Sequence, residues 1–331
     1  MKMKNIIRSA QRNAKTAFLM CAAFGLCFTA CSDDDESNGG GSGDLPAMSD
    51  LGITHQVTGI IDSEGNMSTF NYVDGRLTSG HTYVDDMDFT IGSSPLTVWC
   101  GVEESDGEKY EETYTNIKTN SYGAMTYAEV KWREEGYGEV YEGGGTLTIE
   151  YDGNRLTKIT IEESDAEGDY TYTYKAEFVH SWDGNNITKV TAKETETEND
   201  GSEEYTDTYE YTDYYEYGSN PETNSGIYLP QLAIMDSDFM CYAGLFGRTT
   251  SHIPTTYTDD DGYSTEIRVD KDEQGRITHY YWDGYLQESY LYDGQTPSAA
   301  RTTINKAPAK TKGHGLMRKI AKRIIARNTG R

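Results

Sequence analysis

Between Thr146 and Ile161 apolar and polar residues alternate on both sides of a reversal. Leu147, Ile149 and Tyr151 interleave with Thr148 and Glu150, Asp152-Gly153-Asn154 turns the chain, and Ile159 and Ile161 resume the pattern. A period of two flanking residues that tolerate positive φ predicts a β-hairpin. The unit recurs in degenerate form at Phe70–Leu77, Phe178–Val190 and Ile267–Tyr280, and the aromatic-Asp-Gly corner returns at Trp282-Asp283-Gly284 and Tyr292-Asp293-Gly294. Tyr170, Tyr172 and Tyr174 fall on one strand face with Thr171, Thr173 and Lys175 on the other, and Tyr209, Tyr211, Tyr215 and Tyr217 repeat the device around Asp213. Such alternation describes antiparallel strands with one face packed and one wet. No helical stripe of useful length interrupts Leu51 to about Gly294. The expectation is therefore all-β: an antiparallel meander of hairpins, as an open sheet or a partly closed barrel, with a C-terminal amphipathic helix. Gly143-Gly144-Gly145 reads as a loop before a strand, since phosphate cradling would require a following helix.

Tyrosine is heavily used, with 27 residues, while Leu, Ile and Val are sparse, a mixture suited to half-exposed sheets with aromatic faces. Charge is segregated along the chain. All 55 acids fall between Asp33 and Asp293, a span holding 14 of the 29 Lys and Arg, so the middle carries a net −41. The first 31 residues hold five basic groups and no acid, and ten more follow from Arg301 onward, again without an acid. The body repels nucleic acid and anionic membranes; the ends do the opposite.

At the amino end Lys2, Lys4, Arg8, Arg12 and Lys15 precede an apolar run from Ala17 to Phe28, closed by Phe28-Thr29-Ala30-Cys31. The run is short for a membrane span and has the three regions of a secretory signal. Cys directly after Thr-Ala resembles a bacterial lipoprotein signal, which implies lipidation of Cys31 after removal of residues 1–30; Phe28 departs from the usual Leu. Residues 31–50 are an acidic, Gly/Ser-rich tether. Its Ser32, Asp33, Asp34, Asp35 and Glu36 resemble the surface-export signal of Bacteroidetes lipoproteins, which implies a lipid-anchored location on the outer membrane, exposed at the cell surface.

Residues 51–296 form the β-hairpin repeat domain. The corners YDGNRLTKI and DEQGRITHY, with Tyr217-Gly218-Ser219-Asn220-Pro221, Leu245-Phe246-Gly247-Arg248 and His252-Ile253-Pro254-Thr255, resemble a domain-of-unknown-function family of Bacteroidetes lipoproteins with YD-type repeats. That resemblance covers roughly Thr146 to Asp293. It implies a β-rich, porin-like fold and carries over no catalytic residues.

Candidate chemistry within the body is thin, and the chain is not expected to be an enzyme or to carry a cofactor. His55, His81, His180, His252, His279 and His314 lack metal-ligand spacing, so no metal is expected. No Gly-x-Ser-x-Gly elbow occurs. Cys100 and Cys241, the thiols left in the mature body besides Cys31, could pair as a disulfide, stand as two buried free thiols or, more remotely, supply a nucleophile. Asp270, Asp272, Gln274 and Gly275 begin like a calcium loop, but Tyr281 stands where a bidentate Glu is required, so a hairpin turn is the better reading. Aromatic faces could stack on sugar rings or pair as cross-strand ladders.

After Asp293 the composition changes. Residues 297–315 read as a linker, and residues 316–331 as a basic amphipathic tail. On a helix Leu316, Met317, Ile320, Ile324 and Ile325 form one stripe, while Arg318, Lys319, Lys322, Arg323 and Arg327 cover the other face, the pattern of a helix lying on an anionic membrane. Ser298-Ala299-Ala300-Arg301 is a small-residue run open to an Arg-specific protease. The expected function is a surface-anchored lipoprotein whose acidic β-domain carries a cationic, membrane-active peptide released by cleavage near Arg301. Its expected target is the anionic envelope of other bacteria. The alternative is a surface module that binds glycans, without toxic activity.

Overall fold

The computed structural model describes residues 51–83, 86–103, 107–136, 139–167, 170–199, 201–228, 238–293 and 295. Cys31, the Ser32–Glu36 cluster, Arg301 and the tail residues Leu316 to Arg327 lie outside them.

Sixteen antiparallel strands follow one another around a closed barrel. They are β1 Val57–Asp62, β2 Met67–Val73, β3 Arg76–Thr82, β4 Met87–Ser93, β5 Leu96–Glu103, β6 Lys109–Thr119, β7 Met125–Gly136 and β8 Glu139–Asp152. Then come β9 Arg155–Glu167, β10 Tyr170–Asp183, β11 Asn186–Asn199, β12 Glu204–Glu216, β13 Thr256–Thr258, β14 Ser264–Lys271, β15 Ile277–Trp282 and β16 Tyr285–Tyr292. Each strand pairs with the next, and β1 closes on β16 through pairs such as Val57 with Tyr292 and Ile60 with Tyr290. The meander expected from the alternation is present, and it closes fully. The one helix among the described residues, α1 Asp238–Tyr242, belongs to the connection between β12 and β13.

Local chemistry explains the hairpins. Asp74-Gly75 and Asp283-Gly284 connect their strands with both residues at positive φ (51° and 76°, 48° and 80°), the mirror-image turn whose twist matches the flanking strands. The aromatic residue before a corner has its own task. Tyr72 donates to Val57 O at 2.9 Å, Tyr151 to Met125 O at 2.9 Å, Trp182 Nε1 to Leu156 O at 2.6 Å, and Tyr292 to Ile277 O at 2.8 Å. Tyr217, just past β12, donates to Ile187 O at 2.9 Å. Each ties the end of an even-numbered strand to the start of the strand before it. Apart from Trp282-Asp283-Gly284 at the opposite end, the recurring aromatic corners thus form a rim of hydrogen bonds at the end of the barrel where β1 begins and β16 ends.

The wall is apolar within and polar without. Along β8 and β9, Leu147, Ile149, Ile159 and Ile161 are buried while Thr148, Glu150 and Glu162 are exposed. Outward residues form cross-strand ion pairs, Lys158–Glu177 at 2.6 Å, Lys175–Glu162 at 3.1 Å and Lys193–Glu210 at 2.8 Å. A lysine on a lipid-facing wall costs about 2–4 kcal/mol at the bilayer midplane, so the outward faces of β9 to β12 are built for water.

Two things fill the interior. The first is tyrosine: Tyr110, Tyr114, Tyr172, Tyr174, Tyr290 and Tyr292 are each no more than 2% exposed. They belong to the packed face of strands whose other face is wet, as the alternation implied, whereas Tyr209 of the second tyrosine run is 58% exposed. Buried carboxylates take their hydroxyls: Tyr110 and Tyr114 donate to Glu112 at 2.6 and 2.8 Å, and Tyr257 to Asp213 at 2.9 Å. The second is the connection between β12 and β13, whose described residues, 217–228 and 238–255, fold into the barrel as a plug. Phe239 stacks on Phe89 of β4 with ring centroids 4.1 Å apart, and Ile227, Tyr228, Met240, Leu245 and Phe246 are buried with it. Asn224 pins the plug. Its Nδ2 donates to Ile227 O, Thr249 Oγ1 and Thr250 O, and its Oδ1 accepts from the amides of Gly226 and Ile227. A barrel of this strand number would otherwise enclose a channel.

Gly143-Gly144-Gly145 lies inside β8 and is not a loop. A Cβ on Gly143 would meet the Trp132 indole at 2.4 Å, and on Gly144 or Gly145 a neighbouring carbonyl oxygen at 2.3 or 2.1 Å. The run is bare because Trp132 and the flanking backbones occupy the space. Cys100 and Cys241 are both buried and are not joined in a disulfide. Cys100 on β5 faces Glu112 Oε2 at 3.8 Å, while Cys241 sits in α1 of the plug, so the disulfide alternative is set aside.

Candidate functional site on the outer wall

Antiparallel register places residues from distant hairpins side by side. On the outer face, His81 of β3 pairs with Asp88 of β4, Asp88 with Gly101 of β5, Gly101 with Glu111 of β6, Glu111 with Arg133 of β7, and Arg133 with Glu142 of β8. The row beside it reads Ser79, Thr90, Trp99, Thr113, Lys131 and Gly144 across the same six strands. Two positions in this double row carry glycine, and the surface dips at both.

The first depression, about 580 Å³, is lined by His81, Asp88, Trp99, Gly101, Glu111 and Arg133 among others; the second, about 650 Å³, includes Glu111, Thr113, Lys131, Arg133, Glu142 and Gly144. Both contain Glu111 and Arg133, so the two depressions adjoin across the strands as a trough in two parts. Trp99 is 36% exposed and lies against Gly101, where an added Cβ would come within 2.8 Å of its ring.

Ion pairs hold the polar groups in place. Arg133 Nη1 meets Glu142 Oε1 at 3.1 Å and its Nη2 meets Glu135 Oε2 at 3.2 Å. His81 lies 3.1 Å from Asp88 and 3.4 Å from Asp86, and Lys109 lies 3.1 Å from Glu103. The trough thus offers a flat aromatic surface beside fixed donors and acceptors, a combination suited to stacking and hydrogen bonding.

Of the described residues singled out in the sequence, the structure brings His81 and the Gly143-Gly144-Gly145 run into this trough. His55, His180, His252 and His279 sit on separate elements. The calcium-like loop closes as a turn: Asp272 Oδ1 accepts from the amides of Gln274 and Arg276 at 2.9 and 3.0 Å, and Arg276 Nε bonds Oδ2 at 2.7 Å. Sequence reasoning missed Trp99. The available signal was its place on the polar side of the alternation Leu96, Val98, Cys100, where a tryptophan faces water.

No protein-family model and no curated protein matches the chain. Among solved structures it is similar to a porin-like protein from Bacteroides vulgatus, at 16% identity and TM-score 0.47, covering 72% of this chain and 100% of that one. It is also similar to a porin-like protein from Bacteroides uniformis, at 18% identity and TM-score 0.26, covering 60% of this chain and 96% of that one. The barrel itself is established by the strand pairing, independently of these likenesses.

Proposed function

We propose that this chain is a surface-displayed binding module, without enzymatic activity, whose outer-wall trough seats a glycan on Trp99. The observation that carries this reading is the exposed indole held against Gly101, in a depression also lined by His81 and the ion-paired Arg133. An aromatic plane flanked by immobilised hydrogen-bonding groups suits a sugar ring, which has an apolar face and a polar edge. The polar wall fits a domain held in water by a tether, as the Cys31 anchor, the Ser32–Glu36 cluster and the YD-type corners of the resembled lipoprotein family suggest. The test is a glycan array with the purified mature protein and its Trp99→Ala variant. Binding lost in the variant supports the reading, and uniform silence of the wild type rejects it.

A second reading rests on the charge segregation. The body's net −41 lies between basic ends, and a cationic tail attracted to it would be masked until an Arg-specific protease cut near Arg301. A synthetic peptide of residues 302–331, applied to anionic vesicles and to related bacteria, decides this. Inactivity on both, with no cut at Arg301 in material recovered from cells, rules it out.

A further inference from the structure

Resting on the glycan reading of the trough, we infer that its ligand is a neutral, linear oligosaccharide laid across the strands and held at two subsites. One subsite is the Trp99–Gly101 platform; the other is the bare floor at Gly144 beside Lys131.

The direction follows from register. Trp99, Thr113, Lys131 and Gly144 are successive partners on four adjacent strands. With strands about 4.8 Å apart, the two subsites are separated by about 14 Å. The depressions adjoin at Glu111 and Arg133, so the ligand's path runs perpendicular to the strands. A single ring fills one subsite, and a chain of several rings is needed to fill both.

The neutrality follows from charge. Carboxylates outnumber cations among the lining residues, and the Arg133, Lys109 and His81 side chains already face Glu or Asp at 3.0–3.5 Å, with distances of 3.1 and 3.2, 3.1, and 3.1 and 3.4 Å respectively. An anionic glycan would bring its carboxylates or sulfates within a Debye length, about 8 Å, of the surplus acids. A peptide adding itself as a strand has no edge to join, because the barrel is closed.

The experiment is titration calorimetry of the full mature protein with gluco-, manno- and xylo-oligosaccharides of two to six rings, and with oligogalacturonates of the same lengths. For the neutral series that binds, affinity should rise at least tenfold from two rings to four or five and then level off. Lys131→Ala, an exposed substitution, should remove most of that rise. Trp99→Ala should abolish binding at every length. Trp99-dependent binding that ignores chain length and Lys131, or that is as strong for oligogalacturonate, overturns the two-subsite neutral assignment and leaves the glycan reading standing. Silence across all the series rejects the glycan reading and the assignment with it.

Discussion

The indole of Trp99 rests on Gly101, two residues further along the same strand, so closely that a methyl group there would come within 2.8 Å of Cζ2. The contact keeps an exposed aromatic plane in one orientation. Glycine is required at position 101 because the ring takes the place of its side chain.

Gly101→Ala should therefore act on binding more than on folding. The methyl group would push the indole off its platform and also press on Tyr110 O, 3.0 Å away. We expect glycan affinity to fall about tenfold, equivalent to about 1.4 kcal/mol, with a shift in tryptophan emission and a small change in melting temperature. Unaltered affinity would show that the ring's orientation is irrelevant to binding.

His180 on β10 is 4% exposed and neither ring nitrogen has a hydrogen-bond partner. Burial pushes its pKa down from 6.5 to about 3. The folded state holds this imidazole neutral, whereas the unfolded chain takes up a proton below about pH 6.5. Its contribution to stability is therefore complete above that pH and is lost progressively as the pH falls toward 3. Replacing it in His180→Leu should remove this proton uptake. The variant's stability relative to wild type should rise by roughly 2 kcal/mol between pH 7.5 and pH 5 in urea titrations. A difference that does not change with pH refutes the argument.

Asp213, 8% exposed, has its pKa raised, first by burial and then by Asp260 and Asp259, against the lowering effect of the Tyr257 hydrogen bond. A raised carboxyl pKa means that the charged form is disfavoured in the folded protein. The stability associated with the neutral acid is present below the ordinary Asp range and lost as the pH rises through the folded value. Asp213→Asn, which keeps an oxygen for Tyr257, should be the more stable protein at pH 7 and should lose that advantage near pH 3. Melting temperatures at the two pH values check the sign.

Asn224→Ala would leave the plug without five hydrogen bonds at a buried position, 5% exposed in the native protein. Unmet buried donors and acceptors cost about 1–3 kcal/mol each and are partly recovered by relaxation, so a loss of about 3 kcal/mol or more is expected. The effect should be local as well as global. In a Cys100→Ser background, Cys241 of α1 should react with a thiol reagent faster once Asn224 is gone. An unchanged labelling rate would mean that this residue does not hold the plug.

The alternation of Leu147, Ile149, Ile159 and Ile161 settles which side of each strand is buried, because strand side chains alternate whatever the partner. Asp74-Gly75 and Asp283-Gly284 determine tight reversals through the backbone angles these residues tolerate. Strand parity, hairpin turns and the scarcity of helix were therefore legible in the sequence, as was the charge segregation of the two ends. Closure was not: it depends on Val57 meeting Tyr292 across the whole domain, and nothing local encodes that pairing. The plug was equally hidden, since Phe239 and Leu245 become interior residues only when a barrel exists for them to fill. The trough is the extreme case. Trp99, Lys131 and Gly144 lie on β5, β7 and β8, and only the accumulated register of the four strands β5 to β8, a tertiary quantity summed over every pairing between them, sets them in one line.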